Sequence, residues 1–409
     1  MLSRLGSGPA PAEMMPRHGW FYLSCLAAFT AGHMVNYSVI IYAQDVIASD
    51  LLSGIGFGLC FGPPLLLGWY AGALCDRLAP GRLIQAAQAL FILATLLLWF
   101  ADRNVAEVGL RVPFLVAAAT LSGVGWSFTS PARMAALGQI ARVDELKQAS
   151  VVFNLLSMLG FGLGPLAIAL MRRHLGWPGV FFGAMALVVL SSLALLVVKT
   201  RPSGRVHQPV LVEIREGLAV VRANPLLLQL MVAAMAGYLA MGPMSVLLPK
   251  LAATKLALAE LQRGYFLGTL ALSLIVGGVA ALIASRRVRH GRAIFIATTL
   301  AGVCLAALGA ARGAGIAVAL LCGVGVAGGL ALSLIVAGIQ ANATDAMRGR
   351  VVSMYTIISQ VVPAASGVAA GALVQAFGVS VALFICGTTL VVAMLLNALW
   401  MTALRQHRG

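Results

Sequence analysis

The chain has 409 residues, of which 61% are hydrophobic and 10% charged, with 28 Lys and Arg against 12 Asp and Glu. Soluble domains average roughly 45–50% apolar and about 25% charged residues. This composition, with a mean hydropathy of +0.97, therefore excludes a water-soluble fold, and it excludes disorder as well. The surplus apolar surface must face a lipid bilayer. A formal charge of +16 would suit nucleic acid, but the basic residues gather at the ends of apolar runs, where they set membrane topology. No nucleic-acid partner is expected. The runs are continuous rather than alternating, which excludes a β-barrel.

A spanning helix needs about 20 apolar residues, so twelve take up roughly 240. Residues 1–19, with Pro9, Pro11 and Pro16, read as a loose tail. The first apolar run, Trp20 to Ala43, is longer than a signal-peptide core of roughly 7–15 residues. It is kept as span 1. The further spans are expected near 51–74, 83–101, 113–136, 148–171, 178–198, 224–249, 263–284, 292–310, 314–338, 350–374 and 378–402. The predicted fold is an all-α membrane protein with twelve transmembrane helices in two six-helix halves. With the N-terminus in the cytosol, 20 of the 28 basic residues fall in inside segments, which predicts that both termini are cytosolic. Arg172 and Arg173 run against this bias.

The longest connection, 199–223, contains Pro202, Gly204 and Pro209. It divides the chain into residues 1–198, a tail and six-helix bundle, and residues 224–409, a second bundle. Within it, Val210–Val221 has apolar residues at helical spacing and is expected to lie along the membrane surface. An internal repeat agrees with two halves: Asp144-Glu-Leu-Lys147 returns as Asp345-Ala-Met-Arg348, 201 residues later. Parallel repeats of this kind place a transporter's substrate site at their interface, near the midplane.

Several chemistries find no support. The six cysteines form no C-x-x-C pair, so neither a metal site nor a disulfide framework is read. The six histidines are scattered, no cluster suits an enzyme, and no nucleotide-binding G-x-x-x-x-G-K-[ST] loop is present. No cofactor is expected.

Three motifs carry a resemblance. Gly72-Ala-Leu-Cys-Asp76-Arg77-Leu-Ala-Pro-Gly81-Arg82 follows span 2. Gly160-Phe-Gly-Leu-Gly164-Pro165 lies in span 5. Ser130-Pro-Ala-Arg133, Asp144-Glu145 and Arg348-Gly-Arg350-Val-Val-Ser-Met354-Tyr355 flank spans 4 and 11. Over nearly its whole length the chain resembles the major facilitator superfamily, and these last segments resemble its siderophore and macrolide exporter branch. The first motif is similar to the family's loop G-x-x-x-D-R-x-G-R-[RK], with two extra residues before Gly81 and one fewer basic residue. The second is similar to the antiporter motif G-x-x-x-G-P, although Ile168 and Ala169 replace its later glycines.

The resemblance implies alternating access by a secondary transporter. It implies a cytosolic gate of Gly72, Asp76, Arg77, Gly81, Arg82, Arg133 and Arg350, in which Asp76 pairs with Arg133 and meets the N-terminus of span 11. It also implies proton-coupled efflux of a small amphipathic, drug- or siderophore-like compound. A monomer in a bacterial inner membrane is expected. Many proton antiporters of the family carry an arginine in the middle of span 4, and here Ala119 stands there.

Polar groups inside spans mark pathways. In this family spans 1, 4, 7 and 10 line the cavity. His33, Asn36 and Tyr37 share one face of span 1. With Trp126, Asn154, Tyr238, Met241 and Gln360 they form the expected substrate cavity. None of the acids lies deep in a span. His33 is the natural coupling group because histidine titrates nearest neutral pH, and Asp45 is second. An uncoupled facilitator or importer stays open as an alternative, as does a membrane sensor without transport.

Overall fold

The computed structural model describes residues 11–142, 145–202, 210–284, 290–343 and 348–406. Among these, every regular element is helical. In chain order they are α1 (Pro11–Asp45), α2 (Asp50–Phe61), α3 (Pro64–Arg77), α4 (Pro80–Asn104), α5 (Val112–Ile140), α6 (Leu146–Leu196) and α7 (Val210–Ala223). There follow α8 (Pro225–Tyr238), α9 (Met241–Lys250), α10 (Glu260–Ala284), α11 (His290–Leu308), α12 (Ala314–Asn342), α13 (Arg348–Trp400) and α14 (Thr402–Gln406).

Two helices are too long for one crossing. At 1.5 Å per residue, 51 residues would run to about 77 Å, more than twice a bilayer core. α6 instead reverses at Gly176 (φ 65°) and α13 at Gly378 (φ 76°). The left-handed backbone at both turns suits glycine. Two predicted spans are broken rather than doubled. Span 2 becomes α2 and α3, interrupted at Gly62-Pro63. Span 7 becomes α8 and α9, interrupted at Leu239-Ala240. With these readings the twelve crossings follow, and α7 forms where an amphipathic helix was expected. One expectation is corrected: the tail was drawn to residue 19, but α1 begins at Pro11.

Helices α1–α6 pack together, and α8–α13 pack together, while α7 lies against α13 and α8. The outer surfaces expose large apolar side chains such as Leu193, Leu196, Ile283, Ile296, Leu396 and Leu399. Such a surface is stable only against lipid. The ends of the bundle are named here by the chain: the terminal face carries the start of α1 and α14, and the distal face carries Asp45, Gly176 and Gly378.

The two bundles meet through glycines. A Cβ at Gly54 of α2 would lie 2.7 Å from the Gly367 carbonyl and 2.8 Å from Gly371 Cα of α13. A Cβ at Gly162 of α6 would lie 2.6 Å from Ala271 of α10, and one at Gly264 of α10 would lie 2.6 Å from Ala169. Small residues let these backbones approach closely, as lipid-embedded helices require. At the distal face the seam also has polar links: Gln44 Nε2 donates to the Val246 carbonyl at 2.8 Å, and the Asp50 amide donates to Gln375 Oε1 at 3.0 Å.

Candidate functional site

The site is built on the contact between α1 and α5. On α1, Phe29, His33 and Asn36 recur at helical spacing and so share a face. On α5, Ser122 and Trp126 stand one turn apart. Ser122 Oγ donates to Asn36 Oδ1 at 2.7 Å. One turn toward the terminal face, the Trp126 ring lies 5.0 Å from that of His33. It stacks at 6.2 Å and 6° on Phe29. Gly32 makes room for it, since a Cβ there would lie 2.7 Å from the indole.

Other helices close the shell. Phe91 of α4 meets Trp126 edge-on at 5.8 Å, and Phe61 of α2 lies at 6.5 Å. Phe161 of α6 meets His33 edge-on at 5.2 Å and Tyr37 at 5.9 Å. Edge-on and stacked pairs of this kind are the favoured aromatic geometries. His33 is 8% exposed and makes no hydrogen bond among the described residues. The structure thus brings together His33, Asn36, Tyr37 and Trp126.

The glycine motif of α6 explains the tight α1 contact. A Cβ at Gly160 would lie 2.6 Å from Phe29 Cβ, and one at Gly164 would lie 2.9 Å from His33 Cβ. Gly160 and Gly164 therefore seat α6 on the two α1 residues that hold Trp126. Pro165, next along the helix, has no amide hydrogen to donate.

In the second bundle, Tyr238 ends α8 and its hydroxyl lies 2.7 Å from that of Tyr355 on α13. Met241 opens α9 just beyond the break. Gln360 is half-buried on α13 and Asn154 is exposed on α6. Neither hydrogen-bonds to the aromatic cluster among the described residues.

Arg133 is 0% exposed and turns into the first bundle. Its Nη1 donates to Ser24 Oγ at 3.1 Å and to Cys25 Sγ at 3.4 Å, and its Nη2 donates to Ser191 Oγ at 3.0 Å. Its guanidinium lies 5.9 Å over the Phe29 ring. Gly72, Asp76 and Arg350 lie on α3 and α13, but their side chains, and so the expected pairing of Asp76 with Arg133, fall outside what is described. Arg77 and Arg82 are exposed at the terminal face, where the Gly81 amide donates to Thr200 Oγ1 at 2.9 Å.

Asp45 sits in an ionic cluster at the distal face, where the bundles touch. Arg172 Nη1 lies 2.6 Å from Asp45 Oδ2, and Arg172 Nη2 lies 3.7 Å from Glu260 Oε1. Arg263 Nη1 lies 3.3 Å from Glu260 and 3.9 Å from Asp45. Arg172 also covers the Trp177 ring at 4.7 Å. Arg172, one of the two arginines that run against the topology bias, is thus a member of the seam. Sequence reasoning missed this cluster because its members come from α1, α6 and α10. It also missed Tyr355 as a partner of Tyr238, quoting it only within a motif. The break in span 2 was legible in Gly62-Pro63-Pro64.

The profile of the Major Facilitator Superfamily matches residues 20–367. The chain belongs to this family, which makes it a membrane transporter rather than an enzyme. No curated protein matches it in sequence. Solved structures match over nearly the whole chain. A POT family transporter in complex with a thioalcohol-conjugated peptide aligns with a TM-score of 0.73 and 14% identity, covering 95% of this chain and 96% of that one. A bacterial homolog of the human lysosomal transporter Spinster, inward-facing and unoccupied, aligns at 0.72 and 15%, covering 98% of each. A D-xylose–proton symporter aligns at 0.73 and 15%, covering 94% and 97%. At these identities the likeness is one of fold.

Proposed function

We propose that this protein exports a small amphipathic compound by alternating access, in exchange for protons, as the drug and siderophore exporters it resembles do. The observation that supports the reading is the way the two bundles are joined on the distal side. Glycine contacts and ion pairs join the bundles on the distal side, and the aromatic and polar cluster lies within the first bundle, about three helical turns along α1 from Asp45 toward the terminal face. Residues 1–198 and 224–409 would rock as units about this seam, with 199–223 as their connection. The termini would lie in the cytosol of a bacterial cell and the protein in its inner membrane, acting as a monomer.

His33 is the coupling group in this reading, because it faces the cluster and histidine is the side chain whose ordinary titration range lies nearest neutral pH. Asp45 is the weaker candidate, since Arg172 already holds it at the distal face. The export direction is supported by Gly160, Gly164 and Pro165, which fit α6 to α1 beside His33. Asn154, Tyr238, Met241 and Gln360 complete the cavity wall, and Asp76, Arg77, Arg82, Arg133 and Arg350 guard its cytosolic mouth.

Comparative metabolite profiling of medium and cytosol, with and without the gene, tests the proposal. One compound should accumulate inside the deleted strain and vanish from its medium. Equal profiles would refute export of an endogenous compound. A second reading, an uncoupled facilitator, is favoured by one observation: no acid falls in the middle of a span. Equal flux with and without an imposed pH gradient would establish it.

A further inference from the structure

The α1–α5 cluster holds two hydrogen-bond donors that have no acceptor. Asn36 is 2% exposed, and while its Oδ1 accepts from Ser122, its Nδ2 is unpaired among the described residues. Trp126 Nε1 is likewise buried and unpaired. The two residues stand on facing helices about one turn apart, because Asn36 meets Ser122 and Trp126 lies one turn beyond Ser122. A buried donor without a partner is unfavourable, and an acceptor placed against it recovers that loss.

The surroundings restrict which acceptor. Phe29, Phe61, Phe91 and Phe161 supply flat apolar walls around Trp126 and His33. Among the described residues no carboxylate shares the cluster. The nearest acid along α1 is Asp45, nine residues on, and Arg172 holds it. Along α5 the nearest charge is Arg133, seven residues or about 10 Å away. Its described partners, Ser24, Cys25 and Ser191, carry no formal negative charge. An organic cation would therefore meet the positive ends of two N–H dipoles and a buried guanidinium, with no counter-ion to hold it.

We propose that this cluster binds a flat, apolar compound bearing a carbonyl or carboxylate, whose oxygen accepts from Trp126 Nε1 and Asn36 Nδ2, and that it rejects organic cations. The proposal deepens the transport reading, since the compound would be the cargo. Binding itself can be read without any flux, so the two ideas fail separately.

Three probes on one ring system provide the test: neutral coumarin, coumarin-3-carboxylate, and the same ring carrying a trimethylammonium group. Binding to the purified full-length protein in detergent is measured by equilibrium dialysis. Coumarin, its carboxylate or both should bind, and the ammonium probe should bind at least tenfold more weakly. Trp126→Phe keeps an aromatic ring and removes the N–H. Asn36→Leu keeps the bulk and removes the amide. Each should weaken the acceptor probes on the order of tenfold, the effect of one hydrogen bond, and should bring the three probes closer together. Thermal unfolding of both variants confirms that they fold. Should Asn36→Leu fail to fold, Trp126→Phe alone decides. Equal binding of the ammonium probe, unchanged affinity in Trp126→Phe, or no binding of any probe would overturn the proposal. Binding with the expected selectivity but no transport would leave it standing and sink the exporter reading instead.

Discussion

Lys250 Nζ lies 2.8 Å from Asp50 Oδ1, and this ion pair ties α9 of the second bundle to the first turn of α2 in the first. The side chains are 24% and 14% exposed, and neither has another ion partner among the described residues. Separation of the bundles at this face would leave both charges alone. Asp50→Asn should therefore favour the state open at the distal face by about tenfold, or about 1.4 kcal/mol, between the values for exposed and buried pairs. Spin labels at Leu175 and Phe377, both exposed near the distal turns, report the change in a background free of native cysteines. An unaltered distance distribution would sink the role of this pair as a latch.

The ionic cluster beside it behaves differently. Its shorter pairs, Arg172–Asp45 at 2.6 Å and Arg263–Glu260 at 3.3 Å, lie within one bundle each. The pairs that cross the seam are longer, at 3.7 and 3.9 Å. When the seam opens, every charge keeps a partner. Glu260→Gln should accordingly move the same spin-label distances by less than about threefold in population, in keeping with weak, partly solvated pairs. A shift as large as that of Asp50→Asn would show that the crossing pairs dominate.

Glycines at moving and fixed contacts should respond to substitution in different ways. Gly160 seats α6 on α1 inside one bundle, so Gly160→Val should lower stability by about 1–3 kcal/mol through overpacking. Gly54 faces Gly367 and Gly371 across the seam. Gly54→Val can relieve its clash by opening the distal face, so it should shift conformation more than it lowers the unfolding temperature. Thermal unfolding and spin-label distances, measured on both variants, separate the two effects. The same unfolding temperature for both, with no conformational change, would contradict the distinction.

Removal of the imidazole tests coupling. His33→Ala should abolish pH-driven uptake into inverted vesicles while the protein still folds, since His33 makes no hydrogen bond among the described residues. Retained pH-driven uptake would exclude His33 as the coupling group.

Much of the fold could be read from the chain because membrane insertion demands long apolar runs, and these are local. The same holds for Gly160 and Gly164, whose four-residue spacing put both on the face that meets α1. Trp126, His33 and Asn36 were also legible, because polar and aromatic groups stand out against an aliphatic background. What sequence could not supply were relations across long separations. Arg172 looked like a violation of topology until Asp45 and Glu260 came beside it. Tyr355 gained a role only when α13 brought it to Tyr238. The break after Tyr238 did leave a mark in Gly242-Pro243, since Pro243 has no amide hydrogen to donate to the Leu239 carbonyl four residues earlier.

Gly176 and Gly378 stand 202 residues apart, at nearly the spacing of the Asp144 and Asp345 repeat, and both turn with positive φ. Each hairpin is closed by a single residue rather than by a pliable loop. Two helices joined so tightly cannot slide past one another, so each pair must travel as one lever arm. Arg172, four residues before the first turn and about 6 Å from it at the usual helical rise, rides on such an arm. Whatever pulls on that arginine swings Trp177 and the helix behind it through the same arc.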